Sequence, residues 1–255
     1  MKDKTVKKSG KGLRIVFVLI MAVLLGIIGF CVYNIIIIQN EYNESKDAFQ
    51  AVADLVVKKI EVPASDDNKS EVTVDIDFDE LAKQNKDIFA WIYCEGTPLN
   101  YPVVKGKNNE QYLRHLIDGR YNNSGTLFLD AANSKDLSDA RSFIFGHNMK
   151  NGTMFGSLSK YADEDYADEH PVICFDTLYE RGSYEVMAAF YSRAYTDRDQ
   201  DVFRYYQYTD LSDSETFDEY VRQVKEAALY DTGISAQYGD SLLTLSTCSR
   251  HVQDG

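Results

Sequence analysis

The feature that most restricts how this chain can fold is an apolar run near its start. From Leu13 to Ile38 only Arg14 is charged, and Ile15 to Ile38 gives 24 uncharged positions, mostly Ile, Leu, Val and Phe. At 1.5 Å per residue a helix of that length crosses a hydrocarbon core of about 30 Å. A cleaved signal peptide is the competing reading. Its apolar region normally covers about 7 to 15 residues and ends at a small-residue cleavage site. Here the run is longer and "YNIIIIQNEYNES" offers no such site, so the pattern predicts an uncleaved anchor over residues 15–38. Lys2, Lys4, Lys7, Lys8, Lys11 and Arg14 precede it against Asp3 alone. The positive-inside rule therefore predicts a cytoplasmic tail over residues 1–14 and an external location for everything after Ile38.

Charge divides the chain in the same way. The first 14 residues carry +5 and the whole chain −13, which leaves −18 on residues 39–255. Nucleic acid and anionic headgroups repel such a surface, which argues against a nucleic-acid partner. Cys31 lies in the apolar run, so Cys94, Cys174 and Cys248 remain outside. Three cysteines cannot all pair within one chain, so at least one thiol is free or bonded to another chain. No CxxC or Cys/His cluster has zinc spacing, and no metal is expected.

After the anchor, Phe49, Val52, Leu55 and Val56 recur at helical spacing. The stretch "EVPASDDNKSEVTVDID" then reads as a polar linker, so residues 39–74 are expected to be an external helix and connection. From residue 75 the texture is that of a compact domain. Strand candidates are "IFAWIYC" and "YPVV" around the turn "EGTPLN", then "GTLFLD", "SFIFGH", "PVICFDT", "SYEVMAAFYSR" and "SLLTLSTC". Short helices fit "NEQYLR" and "MFGSLSKY". A longer one fits "DSETFDEYVRQVKEAALY", with Phe217, Tyr220, Val221 and Val224 on one face and a capping box from Ser212 to Glu215. Many short strands without regular βα alternation predict a mainly β barrel or sandwich with helices outside.

Two strand ends carry reactive groups. Cys248 closes "SLLTLSTC" and His147 closes "SFIFGH", 101 residues earlier. An imidazole beside a thiol can hold it as thiolate or take its proton as attack begins. Each residue also has an ordinary reading: a strand cysteine as a small buried hydrophobe, a histidine after glycine as a turn residue. His115 and His170 look like surface positions, and His251 lies beyond the strand end.

The segments "TLSTC" and "GHNM", with "FAWIYCEGTPLNYPVVKGKNNEQYLRH", "SGTLFLD" and "NGTMFGSLSKYAD", resemble the class B sortases over residues 75–255. The resemblance implies a mainly β fold, an eight-stranded barrel with peripheral helices, two of them drawn from residues 41–60 and 213–230. It implies a cysteine transpeptidase of the Gram-positive envelope that needs no cofactor or metal. In that family a cysteine attacks the peptide bond after Thr in a sorting signal, and an amine of a cell-wall precursor or a pilin lysine resolves the thioacyl enzyme. Carried over, Cys248 is the nucleophile and His147 the general acid and base, with Thr247 and Ser246 assigned to substrate contact. The implied partner is an NPxTN-like sorting signal of secreted surface proteins.

The family's third residue, an arginine, follows a glycine that here is Gly255, the last residue of the sequence. The pattern therefore predicts a barrel lacking its final strand; Arg250 is the only arginine near Cys248, but "SRHVQDG" reads as a connecting loop, which argues against Arg250 as a substitute. Two alternatives follow: a catalytically impaired, sortase-like surface binding module, and a cysteine peptidase in which water resolves the acyl enzyme.

Overall fold

The computed structural model describes residues 10–63, 70–196 and 198–248. The chain divides into two units between Glu44 and Ser45. Helix α1 (Gly10–Val56) runs through both. In the first unit its side chains from Gly12 to Asn40 are almost all exposed, and the helix is long and apolar enough to cross a membrane. In the second unit the same helix turns amphipathic. Phe49, Val52, Ala53 and Val56 are buried, and Phe49 meets Tyr101 edge-on at 5.5 Å between ring centroids. Phe49, Val52 and Val56 each contribute roughly 1.5–3 kcal/mol through burial.

Strands β1 (Val57–Pro63) and β2 (Ser70–Ile76) pair antiparallel, from Val57 with Ile76 to Pro63 with Ser70. This hairpin stands where the sequence predicted a linker. The period-two alternation of Val72, Val74 and Ile76 in "EVTVDI", and of Ile60 and Val62 opposite it, is the strand signal. The Ser, Asp and Asn that suggested a linker, Ser65 to Asn68, lie outside the described residues. Helix α2 (Phe78–Gln84) follows, capped by the Asp77 carboxylate on the Glu80 amide at 3.0 Å.

The main sheet is built from β3 (Ile88–Tyr93), β4 (Asn100–Val104), β5 (Leu127–Leu129), β6 (Arg141–Phe145), β7 (Val172–Thr177), β8 (Arg181–Glu185) and β9 (Leu242–Ser246). Among the described residues the order is β8-β7-β3-β4-β5-β6-β9, a near-closed mixed barrel with seven of the eight strands the resemblance implies. The β4–β5 and β6–β9 pairs are parallel and the others antiparallel. Its core holds Trp91, Ile92, Val103, Leu127, Ile144, Phe155 and Phe175, and Trp91 satisfies its indole N–H on Asn100 Oδ1 at 2.7 Å. Truncating Trp91 to Ala would cost about 3–5 kcal/mol.

Outside the barrel lie a 3₁₀ helix (Phe155–Ala162), α3 (Glu164–Glu169) and α4 (Ser214–Ala227). Three sequence expectations need correction. The residues after β8, read as the rest of a long strand, leave the ladder once Val186 N has bonded Pro171 O at 2.8 Å. Met187, Ala188 and Phe190 instead pack against Phe217, Tyr220 and Val224 of α4, because β propensity without a ladder partner does not make a strand. "NEQYLR" forms bends and turns rather than a helix, the side-chain oxygen of the preceding Asn108 accepting from the amides of Glu110 and Gln111. The cap of α4 is Asp213, whose carboxylate accepts from the Thr216 amide at 2.9 Å, and not Ser212.

Candidate active site

Strands β6 and β9 run side by side in the same direction, from Arg141 opposite Leu242 to Phe145 opposite Ser246. Parallel strands leave a sheet at the same end, and neighbours are about 4.8 Å apart. The chain after each strand therefore emerges at one rim. His147 and Cys248 are each two residues past the last registered pair, so the topology sets them level with one another. Both line an open cleft of about 1930 Å³.

Backbone pairing continues to Gly146, whose amide donates to Ser246 O at 3.1 Å. Side chains then carry it further. Thr247 Oγ1 donates to Gly146 O at 2.7 Å, and Asn148 Nδ2 donates to Cys248 O at 2.9 Å. Glycine is required at 146 by space: a Cβ there would lie 2.3 Å from Leu127 Cδ2 and 2.7 Å from Phe155 Cδ2. The loop after the histidine folds back at once, with Phe155 N on His147 O at 3.0 Å and an antiparallel bridge between Asn148 and Met154.

The imidazole of His147 is oriented by a carbonyl. Its Nε2 lies 2.7 Å from Leu113 O. A carbonyl only accepts, so Nε2 carries a proton and the neutral ring keeps its lone pair on Nδ1. Of the other histidines, His115 Nδ1 bonds Gln111 O at 2.9 Å and His170 Nδ1 bonds Glu95 O at 3.1 Å, away from the cleft.

The thiols separate by environment. Cys248 is free, exposed and in the cleft. Cys94 is buried, with its sulfur 3.3 Å from Val172 O and 3.5 Å from the Tyr161 hydroxyl. Burial pushes the Cys174 thiol up, which suppresses its thiolate. Cys31 lies on the apolar helix.

The two residues assigned to substrate contact already have partners. The Thr247 hydroxyl gives its proton to Gly146, and Ser246 Oγ lies 3.2 Å from the Tyr205 hydroxyl. Tyr205, unmarked in the sequence, stacks on Phe143 at 5.6 Å, and burial raises its phenol pKa. Its carbonyl accepts from Arg141 Nη1 at 2.6 Å, and the same guanidinium lies over the Phe143 and Tyr220 rings. Leu113, Asn148 and Tyr205 escaped sequence reading. The only available signal was that Asn148 directly follows His147 in "GHNM". Arg250, His251 and Gly255 lie outside the described residues.

No protein-family model matches the chain. It is 31% identical over 169 residues to the sortase B of Listeria monocytogenes, covering 66% of this chain and 65% of that protein. To the sortase B of Staphylococcus aureus it is 30% identical over 171 residues, 67% of each. Among solved structures it resembles sortase B from B. anthracis in complex with AAEK1, with a TM-score of 0.68 and 28% identity over 82% of this chain and 91% of that one. A Staphylococcus aureus sortase B–substrate complex gives a TM-score of 0.62 and 28% identity over 70% and 79%. The order of strands, the paired strand ends at the rim and these likenesses agree: this chain belongs to the sortase B family.

Proposed function

We propose that the chain is a membrane-anchored cysteine transpeptidase in which Cys248 is the nucleophile and His147 the proton carrier. The observation that carries this reading is the parallel β6–β9 register, which brings both residues to one level of one rim. In the first half-reaction the Cys248 sulfur attacks the acyl carbon of a sorting-signal peptide bond. An S–C bond forms, the C–N bond breaks, and the departing amine takes a proton from the imidazolium. In the second, an incoming amine loses its proton to His147 and attacks the thioester, and the thiolate leaves. Nδ1 is the nitrogen suited to both transfers, since Nε2 is engaged by Leu113.

The substrate in this reading is the sorting signal of a secreted surface protein, NPxTN-like, and the acceptor a cell-wall or pilin amine. The sortase B relatives support that class, one of them having been solved as a substrate complex. In this reading the anchor is residues 15–38 with the basic tail in the cytoplasm, and the external helix and hairpin over residues 39–74 lead into the catalytic region, residues 75–255. The five lysines and Arg14 before or at the start of the apolar run support that orientation.

The test is incubation of the detergent-solubilised full chain with a sorting peptide, with and without triglycine. Intact mass spectrometry is expected to find an acyl adduct on Cys248 alone and ligated peptide when the amine is present. Ligation is expected to vanish in Cys248→Ala. Acid product unaffected by the amine would make the chain a peptidase, and peptide binding without an adduct would make it a binding module.

A further inference from the structure

We infer that Asn148 is a positioning residue for the nucleophile, acting through the backbone of Cys248. The inference rests on the pairing of Cys248 with His147 proposed above. Cys248 is exposed and two residues past its last laddered partner, a place where strand ends fray. Its backbone nevertheless has a partner at 2.9 Å, the carboxamide of Asn148, 100 residues earlier in the chain. Because the bond ends on the Cys248 carbonyl, it fixes the peptide plane on the C-terminal side of the cysteine. The ladder and the Thr247 clasp fix the N-terminal side. Together they set the direction in which Cα projects the thiol.

The donor is the residue immediately after the imidazole. Its own backbone is held by the bridge to Met154, and that of His147 by Phe155 N. The tether therefore joins the segment carrying the base to the residue carrying the nucleophile, and motion of one carries the other. Proton exchange between two side chains depends steeply on their separation, and a misplacement of about 1 Å can cost 10²-fold. A carboxamide fits this position because it is short, planar and uncharged, and it donates without competing for the thiol's proton.

Substitutions at 148 separate the donor from the bulk. Asn148→Ala removes the bond. Asn148→Asp keeps the shape but turns an acceptor toward the carbonyl. Asn148→Gln keeps the donor on a longer stem. Losing one such bond corresponds to about tenfold in rate. In the ligation assay with the full chain, kcat is expected to fall about tenfold in the Ala and Asp variants with KM within about twofold, and Gln to recover part of the loss.

The second readout is alkylation of Cys248 by iodoacetamide from pH 5 to 10, compared with His147→Ala. The Ala and Asp profiles at 148 are expected to move toward that of His147→Ala, because the loosened thiol no longer feels the imidazole. Wild-type kcat and an unmoved alkylation profile in the Asp and Ala variants would overturn the inference while leaving the Cys–His pair standing. So would a lowered melting temperature with an unmoved profile. A wild-type profile identical to that of His147→Ala would overturn the pair itself, and this inference with it.

Discussion

His147 Nε2 donates to the carbonyl oxygen of Leu113 across 2.7 Å, a bond that spans 34 residues of sequence and fixes which ring nitrogen is free. The neutral ring is therefore expected as the Nε2–H tautomer. Nitrogen-15 correlation spectra of histidine-labelled protein at alkaline pH check this, and an Nδ1–H pattern would contradict it. His147→Gln, which can reach Leu113 O but cannot carry a proton, is expected to lower ligation by about 10² to 10⁴. Wild-type turnover in that variant would remove His147 from the mechanism.

Gly146 sits directly before that histidine, wedged against Leu127 and Phe155, both fully buried. Gly146→Ala is expected to destabilise the domain by about 1–3 kcal/mol through overpacking. The strain falls on the segment bonded to Ser246 and Thr247, so ligation is expected to drop by more than the unfolded fraction explains. Thermal melts and kcat on the same sample check both. An unchanged melting temperature would mean that the β6 end yields freely.

Where chemistry and secondary structure coincided, the sequence was readable. Cys248 and His147 follow short apolar runs, and a strand announces itself through such local patterns. The helix through Phe49 and Val56 and the strand ending at Ser246 were legible for the same reason. What stayed hidden was held by distant partners. The Leu113 carbonyl on His147, the Asn148 amide on Cys248 and the Arg141 guanidinium on Tyr205 O are contacts that no periodicity encodes. The strand pair β1–β2 was hidden by the polar composition of the sequence between its strands, and the residues after Val186 carried strand-like side chains without a neighbour to pair with. Register, which brings the two reactive ends level, is a property of the folded sheet and became visible only there.

Lys105 illustrates a role that sequence alone does not mark. Its ammonium donates to the carbonyls of Asp130 and, at 2.6 Å, Asn133, at the start of the loop between β5 and β6. Burial pulls its pKa down, with Asp130 and Asp139 pulling the other way. Lys105→Met keeps the stem and leaves both carbonyls without their donor, at a cost of about 1–3 kcal/mol. Hydrogen exchange is expected to quicken first over residues 131–139. A variant as stable as wild type, with that loop equally protected, would show that water replaces the ammonium without loss.

Asp176 on β7 is buried at 3% exposure beside β3 and β8. Burial raises its pKa, and Arg181 and the Gly182 amide offset this only in part, the Arg181 guanidinium being bonded to Asp75. A folded-state pKa above the unfolded value of about 3.9 means that, between the two, the native state holds a proton the unfolded chain has released. Stability contributed at this site is thus fully present below the unfolded pKa, falls as pH rises through the window and stays lost above it. Asp176→Asn removes the titration while keeping an oxygen for Gly182. The variant is expected to melt above wild type at pH 7, with the gap closing as the pH is lowered towards 3.5. Melts of both proteins across that range decide it, and a variant that melts below wild type at pH 7 would show that the charged carboxylate is worth more to Arg181 and Gly182 than its burial costs.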